Sequence, residues 1–168
     1  MGRNRQAVRG ILSGNYSLIG NSLLVMKSKS YQSGAVVYEI PYFVDGRGAL
    51  NVLEISKELP FECKRIFYTY TVPEGQVRGE HAHKKCEQFL ISLLGRVSVL
   101  VDDGRGHRDE ILLDSPSKGL WLPSGCWGEQ SGHSQDCILL VLASAEYDNS
   151  DYIRVYDEFL TWKKGAAQ

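Results

Sequence analysis

Short apolar segments that recur along the chain, each closed by turn residues, limit the folds open to it more than any other feature. From residue 36 onward these segments are Val36–Ile40, Ala49–Ile55, Arg65–Val72, Phe89–Leu94, Val97–Val101, Ile111–Leu113, Leu120–Leu122 and Ile138–Leu142. Gly, Pro and Asp separate them, and Asp102-Asp103-Gly104 is a strong hairpin signal. At least seven strands at roughly regular spacing predict an all-β sandwich or barrel.

One helix is predicted near the C-terminus. Its apolar positions follow helical spacing at Tyr152, Ile153, Tyr156, Phe159 and Leu160, and Asn149, Ser150 or Asp151 could cap it. No glycine-rich phosphate loop leads from a strand into a helix, which excludes Rossmann and P-loop nucleotide sites.

The charge of the chain is divided between two segments. The 168 residues suit one domain. Residues 1–38 hold Arg3, Arg5, Arg9, Lys27 and Lys29 and no acid, although the net charge of the whole chain is −1. We therefore predict a basic extension over residues 1–35, flexible or loosely docked, ahead of a domain over residues 36–168. An acid-free start with Arg and Ser is also typical of organelle transit peptides.

Composition also limits the classes of partner that the protein is expected to bind and the cell compartment in which it is expected. No apolar run approaches the ~18 residues of a membrane span, and a near-neutral chain is not expected to bind nucleic acid through bulk charge. The four cysteines form no CxxC pair, so a zinc ribbon is not indicated. With no secretory signal, reduced thiols and a cytoplasmic location are expected.

The densest chemistry lies in Arg78-Gly79-Glu80-His81-Ala82-His83-Lys84-Lys85. If this segment is extended, His81 and His83 share a face. Imidazoles titrate near pH ~6.5, so two of them within a basic cluster can accept and return protons at cellular pH. The alternative is a surface turn with two solvated histidines.

A metal site is a second interpretation of the same segment. His81, His83 and Glu87 have the first-motif ligand spacing of metal-binding cupins, which are small jelly-roll barrels. The second-motif ligand position, after the turn Pro123-Ser124-Gly125, falls on Gly128, and neither His107 nor His133 has the required spacing. Three ligands could still hold a metal, although the fourth is missing.

Several motifs recur in the order found in a known family. They are Asp45-x-Arg47-Gly48-x-Leu50, Lys64-Arg65, Arg78-Gly79-x-His81-Ala82-His83-Lys84-Lys85-x-x-Gln88, Leu113-Asp114-Ser115-Pro116, Gly119-Leu120, Leu142-Ala143-Ser144, and Tyr147-Asp148-x-x-Asp151-Tyr152-Ile153-Arg154. From about residue 36 to 162 the sequence resembles the nucleotide-sugar 3,4-ketoisomerases. The resemblance implies a cupin jelly-roll barrel with a short C-terminal helix, a homodimer, no metal and no redox cofactor.

The implied reaction converts dTDP-4-keto-6-deoxyglucose to a 3-keto isomer, for deoxy amino sugars of surface polysaccharides such as O-antigen, of glycoproteins or of antibiotics. The resemblance makes His81 the base, with His83 beside it. Substrate contacts are expected from Arg47, Arg65, Tyr68, Arg78, Lys84, Gln88 and Trp127. Arg47 favours the galacto product, whereas Gly128, where many members have His, leaves the C4 configuration open.

Three alternatives remain from the sequence. A 4-keto-sugar epimerase would remove protons from the same substrate class. The His–Asp arrangement and the Tyr acid expected of such an epimerase are not apparent in the sequence. A non-catalytic nucleotide-sugar binding cupin is compatible with the fold, although binding alone does not require two adjacent proton carriers. A metal-dependent cupin enzyme is the third.

Overall fold

A computed structural model describes residues 26–166, and strands dominate it. The strands are β1 Ser28–Ser30, β2 Val36–Glu39, β3 Tyr42–Asp45, β4 Gly48–Asn51, β5 Arg65–Tyr70, β6 Arg78–His83, β7 Gln88–Leu94, β8 Val97–Asp102, β9 Arg108–Leu113, β10 Lys118–Leu122, β11 Trp127–Ser131, β12 Ile138–Ala143 and β13 Tyr152–Ile153. The helices are α1 Ile55–Glu58, a 3-10 turn Asn149–Asp151, and α2 Tyr156–Gly165.

Two antiparallel sheets carry the fold. One has the order β1-β2-β10-β7-β12-β5, the other has β13-β6-β11-β8-β9, and β3-β4 forms a separate hairpin. Most neighbours within each sheet are distant in the chain, as the crossovers of a jelly roll require. The predicted all-β jelly roll with a short C-terminal helix is confirmed.

The main core lies between the two sheets. On β8, Val97, Val99 and Val101 are at most 1% exposed, whereas Ser98 and Leu100 between them are only partly buried. This period of two places one side of each strand inward. Leu90 and Leu120 of the six-stranded sheet belong to the same buried cluster. The interior is therefore apolar over most of its length, and polar side chains in it need a separate explanation.

Helix α2 covers the outer face of the five-stranded sheet. Phe159 is fully buried there, and its ring centroid lies 5.8 Å from that of Trp127. The Tyr156 hydroxyl donates a hydrogen bond to the Asp102 carboxylate (2.6 Å). The helix begins at Tyr156 and not at the predicted cap, because Tyr152–Ile153 instead forms β13 along the backbone of β6.

The outer face of the six-stranded sheet carries a second apolar cluster. Phe89, Ile91 and Leu142 are buried there under the segment that includes Leu53 and Phe61. Strand β1 lies within the predicted extension and pairs with β2; the division at residue 35 stays a prediction, and residues 1–25 lie outside the described part of the chain. Within residues 26–166, no helix is long and apolar enough to cross a membrane.

Candidate active site

A pocket opens between the two sheets, and two of the buried polar residues, His83 and Gln88, line it. The five-stranded sheet contributes Gly79, His81, His83, Val99, Gly128 and Gln130, and the six-stranded sheet contributes Gln88 and Leu122. Both predicted catalytic histidines and Gln88 therefore lie in one pocket. Both imidazoles are on the same wall.

A bulge in β6 shapes that wall. His81 pairs with Gly128 and Gly79 pairs with Glu129, so Glu80 is an extra residue on the β6 side. Gly79 (φ 82°) and Glu80 (φ 51°) both have positive φ. A Cβ on Gly79 would lie 2.7 Å from the Gly128 carbonyl oxygen, so only glycine fits this turn.

The bulge also reverses the alternation of side chains. Arg78 and His81 are three residues apart and would lie on opposite faces of a regular strand. With Glu80 looped out, Arg78 pairs with Gln130, which lines the pocket. Paired residues share a face, so the Arg78 side chain is on the pocket side of the sheet.

His81 is held in one tautomer. Its Nδ1 lies 2.8 Å from the Gly79 carbonyl oxygen, and because a carbonyl only accepts, Nδ1 carries the proton. Nε2 therefore has a free lone pair. Burial lowers the pKa of His81, the hydrogen bond to Gly79 opposes this, and the positive charge of Arg154 lowers it further. The ring is a neutral base at cellular pH.

His83 is more deeply buried, with 5% of its surface exposed. Its Nδ1 lies 2.8 Å from the Asp151 carboxylate, so it too is protonated on Nδ1. The Gln88 amide group donates to Nε2 (3.2 Å). Burial lowers the pKa of His83 to about 4, although Asp151 opposes the shift. His83 is thus neutral, and its ring centroid lies 5.0 Å from that of His81.

Asp151 is a functional residue that the sequence reasoning did not single out. Besides His83, its carboxylate accepts hydrogen bonds from the backbone amides of Lys85 (2.8 Å) and Cys86 (3.2 Å). Asp151 thereby joins the loop after β6 to the 3-10 turn and fixes the His83 ring. Its place in the last recurring motif was the only signal in the sequence.

Tyr152 closes the site beside the histidines. Its ring centroid lies 5.0 Å from that of His81 and 4.3 Å from that of His83. The Arg154 guanidinium covers the same tyrosine ring at 4.2 Å. Sequence analysis assigned Tyr152 to the predicted helix; the pairing of Tyr152 with His83 across β13 and β6 places it here instead.

Two predicted arginines flank the pocket. Arg78 shares its face, and the Arg65 charge lies close enough to His83 to lower the pKa of that ring. The Arg65 guanidinium lies 5.3 Å from the Phe67 ring centroid and 5.6 Å from that of Tyr147. Its Nε is buried with no hydrogen-bond partner among residues 26–166. A guanidinium whose Nε is buried without an acceptor is suited to an anionic ligand.

The structure does not bring four other predicted residues into the pocket. Trp127 faces the opposite side of β11, under α2, and its Nε1 donates to Glu129. Tyr68 is 62% exposed on the outer face of β5. The exposed Lys84 donates to the Ser150 carbonyl oxygen, and Arg47 pairs with Asp45 at the tip of the β3-β4 hairpin.

The histidine–glutamate set of metal-binding cupins is not gathered in the described residues. Glu87 instead accepts a hydrogen bond from Trp121 Nε1 (2.8 Å). Ligand atoms of His83, Cys86 and Asp151 do lie within 4.8 Å of one another. Asp151 already accepts hydrogen bonds from His83 and two backbone amides, so this cluster is built as a hydrogen-bonded support for the imidazole.

The chain is similar to a known protein family and to a curated relative. The family model described as FdtA: WxcM-like, C-terminal matches residues 33–164. A curated relative, TDP-4-oxo-6-deoxy-alpha-D-glucose-3,4-oxoisomerase of Aneurinibacillus thermoaerophilus, is 46% identical over 116 residues, which are 69% of this chain and 83% of the relative.

Solved structures give the same result. A 3,4-ketoisomerase from Helicobacter canadensis is 41% identical with a TM-score of 0.74, covering 77% of this chain and 97% of that one. A mutant of the 3,4-ketoisomerase QdtA from Thermoanaerobacterium thermosaccharolyticum, in complex with TDP-4-keto-6-deoxyglucose, is 34% identical with a TM-score of 0.75. That match covers 78% of this chain and 94% of that one.

Proposed function

The chain belongs to the FdtA: WxcM-like family, and we propose that it is a sugar-nucleotide 3,4-ketoisomerase acting on TDP-4-keto-6-deoxyglucose. The observation that carries the proposal is His81, a neutral imidazole whose Nε2 lone pair is left free by the Nδ1–Gly79 hydrogen bond, inside a pocket with a second neutral imidazole. Its product is a 3-keto-6-deoxy sugar, the substrate that an aminotransferase needs for making a deoxy amino sugar.

The proton balance of this isomerisation fits the two histidines. In a 4-keto sugar the C3–H bond is acidified by the adjacent carbonyl. His81 Nε2 takes that proton, the C3–C4 double bond forms, and O4 becomes an enediolate oxygen. O4 then gains the proton that O3 loses, and C4 receives a proton from the His81 imidazolium or through His83. General acid–base catalysis of this kind contributes ~10²–10⁴-fold.

Positive charge near the pocket stabilises the enediolate and the diphosphate. Arg65 has a buried, unpartnered Nε, and its positive charge lowers the pKa of His83. We assign Arg65 to the developing oxyanion. Arg78 is exposed on the pocket face, where its guanidinium can meet the diphosphate. Since Gln88 donates its amide hydrogen to His83, its carbonyl oxygen remains to accept a sugar hydroxyl.

The position of both histidines on one wall favours the galacto product. The opposite wall supplies Gln88 and Leu122, neither of which carries protons at cellular pH. In the gluco ring the C3 hydrogen is axial, on the face opposite the axial C4 hydrogen of a gluco product. A proton removed and returned on one face therefore leaves the C4 hydroxyl axial, which is the galacto configuration.

A homodimer is part of the proposal. Edge strand β5 presents Ile66 (56% exposed), Tyr68 (62%) and Tyr70 (59%) on the outer face of the six-stranded sheet, and an apolar row of this kind on an edge is suited to a second copy. Leu53, two residues after the β3-β4 hairpin, packs on that outer face, while the pocket lies on the inner face. We therefore assign the Arg47 contact with substrate to the pocket of the partner subunit.

A cytoplasmic location belongs to the same proposal, because a charged nucleotide diphosphate does not cross a membrane unaided. The predicted contacts of Tyr68, Lys84 and Trp127 with substrate stay proposals, and none of the three lines the pocket. Of these, Tyr68 fits the dimer face better than the sugar.

One experiment tests the function directly. The protein is incubated with TDP-4-keto-6-deoxyglucose in D₂O, and the sugar protons are followed by NMR. The expected result is a 3-keto product with deuterium at C4, absent with His81→Asn. The same reaction in H₂O should give a product whose H4–H5 coupling is that of the galacto configuration. Exchange at C5, or at C3 with the ketone retained at C4, would identify an epimerase, and no exchange with retained binding would identify a non-catalytic module. Either outcome overturns the proposal.

A further inference from the structure

We propose that Lys163, near the C-terminal end of α2, is a positioning residue of the active site that acts through the turn between β10 and β11. This inference rests on the proposed function and adds to it a residue that lies outside the pocket. The turn consists of residues 123–126 and leads from the six-stranded sheet to the five-stranded sheet. It therefore joins the two walls that carry Gln88 and His83.

The turn is tied to the pocket on both sides. Leu122, the last residue of β10, pairs with Gln88. The Gly125 amide donates a hydrogen bond to the His83 carbonyl oxygen (2.6 Å). The Gln88 amide group in turn donates to His83 Nε2 across the space between the sheets. These contacts form a closed ring, so a displacement of Gly125 is expected to change the distance between Gln88 and His83.

Lys163 holds the turn at the Gly125 carbonyl. Gly125 is buried, and a buried carbonyl oxygen needs a hydrogen-bond donor. Lys163 Nζ supplies that donor. A Cβ on Gly125 would lie 3.2 Å from Nζ and 3.4 Å from the Trp162 ring, so the end of the helix packs directly against the turn. Without the ammonium, the carbonyl has to turn toward water, and the Gly125 amide is expected to move with it.

Helix α2 is itself fixed on the outer face of the histidine strand. Phe159 is fully buried, in one cluster with Ala82, which lies between the two histidines, and with Ile153 of β13. Lys163 follows Phe159 by four residues and lies on the same face of the helix. The Phe159 ring and Lys163 Cγ both lie within 3.0 Å of the position that a Cβ on Gly104 would take. The anchored helix therefore brings the ammonium to a defined place.

The test compares Lys163→Met, Lys163→Arg and Lys164→Met with TDP-4-keto-6-deoxyglucose as substrate. Methionine keeps an unbranched side chain but removes the ammonium, so kcat should fall on the order of 10-fold while KM stays within about twofold, since a misplaced catalytic group lowers the rate without loss of binding. Lys163→Arg restores a donor and should recover most of kcat. Lys164→Met is the matched control, because Lys164 is the exposed neighbour on the same helix, and its kcat should be unchanged.

Nitrogen NMR of the His83 ring separates positioning from a general loss of stability. The Nε2 resonance should shift in Lys163→Met, at a temperature where circular dichroism shows the variant folded, because the contact with Gln88 changes. Lys163→Gln is the second variant if Lys163→Met folds poorly. An unaltered kcat, or a reduced kcat with an unaltered His83 spectrum, would overturn the inference. Failure of the isomerase proposal would appear instead as no turnover by the unaltered protein, with the Nε2 shift still present in Lys163→Met.

Discussion

The Asp151 carboxylate accepts the Nδ1 proton of His83 at 2.8 Å, and two backbone amides converge on the same carboxylate. Three donors thus share two acceptor oxygens. This arrangement fixes the His83 ring in the Nδ1–H tautomer and leaves Nε2 to accept from Gln88. Asp151 does not line the pocket, yet it determines which nitrogen of His83 carries the proton.

Asp151→Asn should reduce kcat on the order of 10²-fold with a smaller change in KM. An asparagine has one acceptor oxygen for three donors, so its NH₂ group must face either a backbone amide or His83 Nδ1. The matched control is Asp148→Asn, an exposed neighbour that caps the 3-10 turn through Ser150. Nitrogen NMR of the His83 ring should show the tautomer change; an unaltered tautomer and kcat would contradict this role for Asp151.

If His81 is the single base and acts on one face of the sugar ring, part of a deuterium label at C3 should be transferred to C4 of the same molecule. With deuterium at C3 of the 4-keto sugar and H₂O as solvent, some product molecules should carry that deuterium at C4, because the His81 imidazolium can return it before exchange. His83→Gln should leave the retained fraction unchanged while reducing the rate. Mass spectrometry of the product measures it. Transfer abolished by His83→Gln would assign the return of the proton to His83 instead.

The stability of the fold should fall as pH decreases from about 6.5 to 4. His83 is neutral in the folded protein, where its pKa is about 4, but takes up a proton near pH ~6.5 when unfolded. Its contribution is fully present above pH 6.5 and is lost as the pH falls to 4, by up to roughly 3 kcal/mol. Burial lowers the pKa of His81 and His133 in the same direction.

Urea unfolding at pH 7 and pH 5, at one protein concentration, measures this loss. His83→Gln should show a smaller decrease in the free energy of unfolding between the two pH values. A slope identical to that of the unaltered protein would show that protonation of His83 does not destabilise the folded state.

Strand periodicity predicted the architecture well because strands such as β8 bury one face in the core. The run Val97–Val101 alternates as expected on β8, and the Asp102-Asp103-Gly104 turn leads to β9. The period of two also places the His81 and His83 side chains on one face of β6, as predicted. The alternation of residues along a strand is therefore sufficient to predict which side chains are buried, wherever only the sheet determines their burial.

Interactions between distant segments could not be predicted in this way. Periodicity alone placed Tyr152 in a helix, yet β6 had a free edge that Tyr152–Ile153 occupies as β13. Asp151 reaches His83 across 68 positions of sequence. Trp127 was expected beside the sugar, but the parity of β11 puts it under α2. Each difference arises from a partner that the local sequence does not contain.

Gly79→Ala should displace the imidazole of His81, the proposed base, although Gly79 itself is neither polar nor catalytic. An added Cβ would lie 2.7 Å from the Gly128 carbonyl oxygen, which forces the bulge to open and moves the carbonyl that holds His81 Nδ1. Gly75→Ala is the control, since Gly75 has a similar φ (77°) with no atom near its Cβ position. Both variants incur roughly 1–2 kcal/mol of backbone strain.

Activity separates the two glycine variants. Gly79→Ala should lose most of kcat even where the protein is folded by circular dichroism, whereas Gly75→Ala should lose stability alone. Equal kcat in the two variants would show that the Gly79 carbonyl does not orient His81.

A charge on the outer face of β5 should dissociate the proposed dimer. Ile66→Glu places a carboxylate at the end of the row formed with Tyr68 and Tyr70, and burying it against a second copy is unfavourable. Sedimentation should give the 18.8 kDa mass of one chain, where the unaltered protein gives twice that value. Leu112→Glu, at an exposed leucine on β9 at the far edge of the other sheet, should remain dimeric.

Mixed dimers then test whether Arg47 acts across the interface. Arg47→Ala and His81→Asn protomers are each expected to be poorly active alone. If Arg47 serves the partner's pocket, a dimer of one of each has one pocket with both residues intact and one with neither. Subunit exchange should therefore restore activity, to about a quarter of the unaltered rate in a random equimolar mixture. No recovery would mean that Arg47 acts within its own subunit or not at all, because both pockets of the mixed dimer would then be defective.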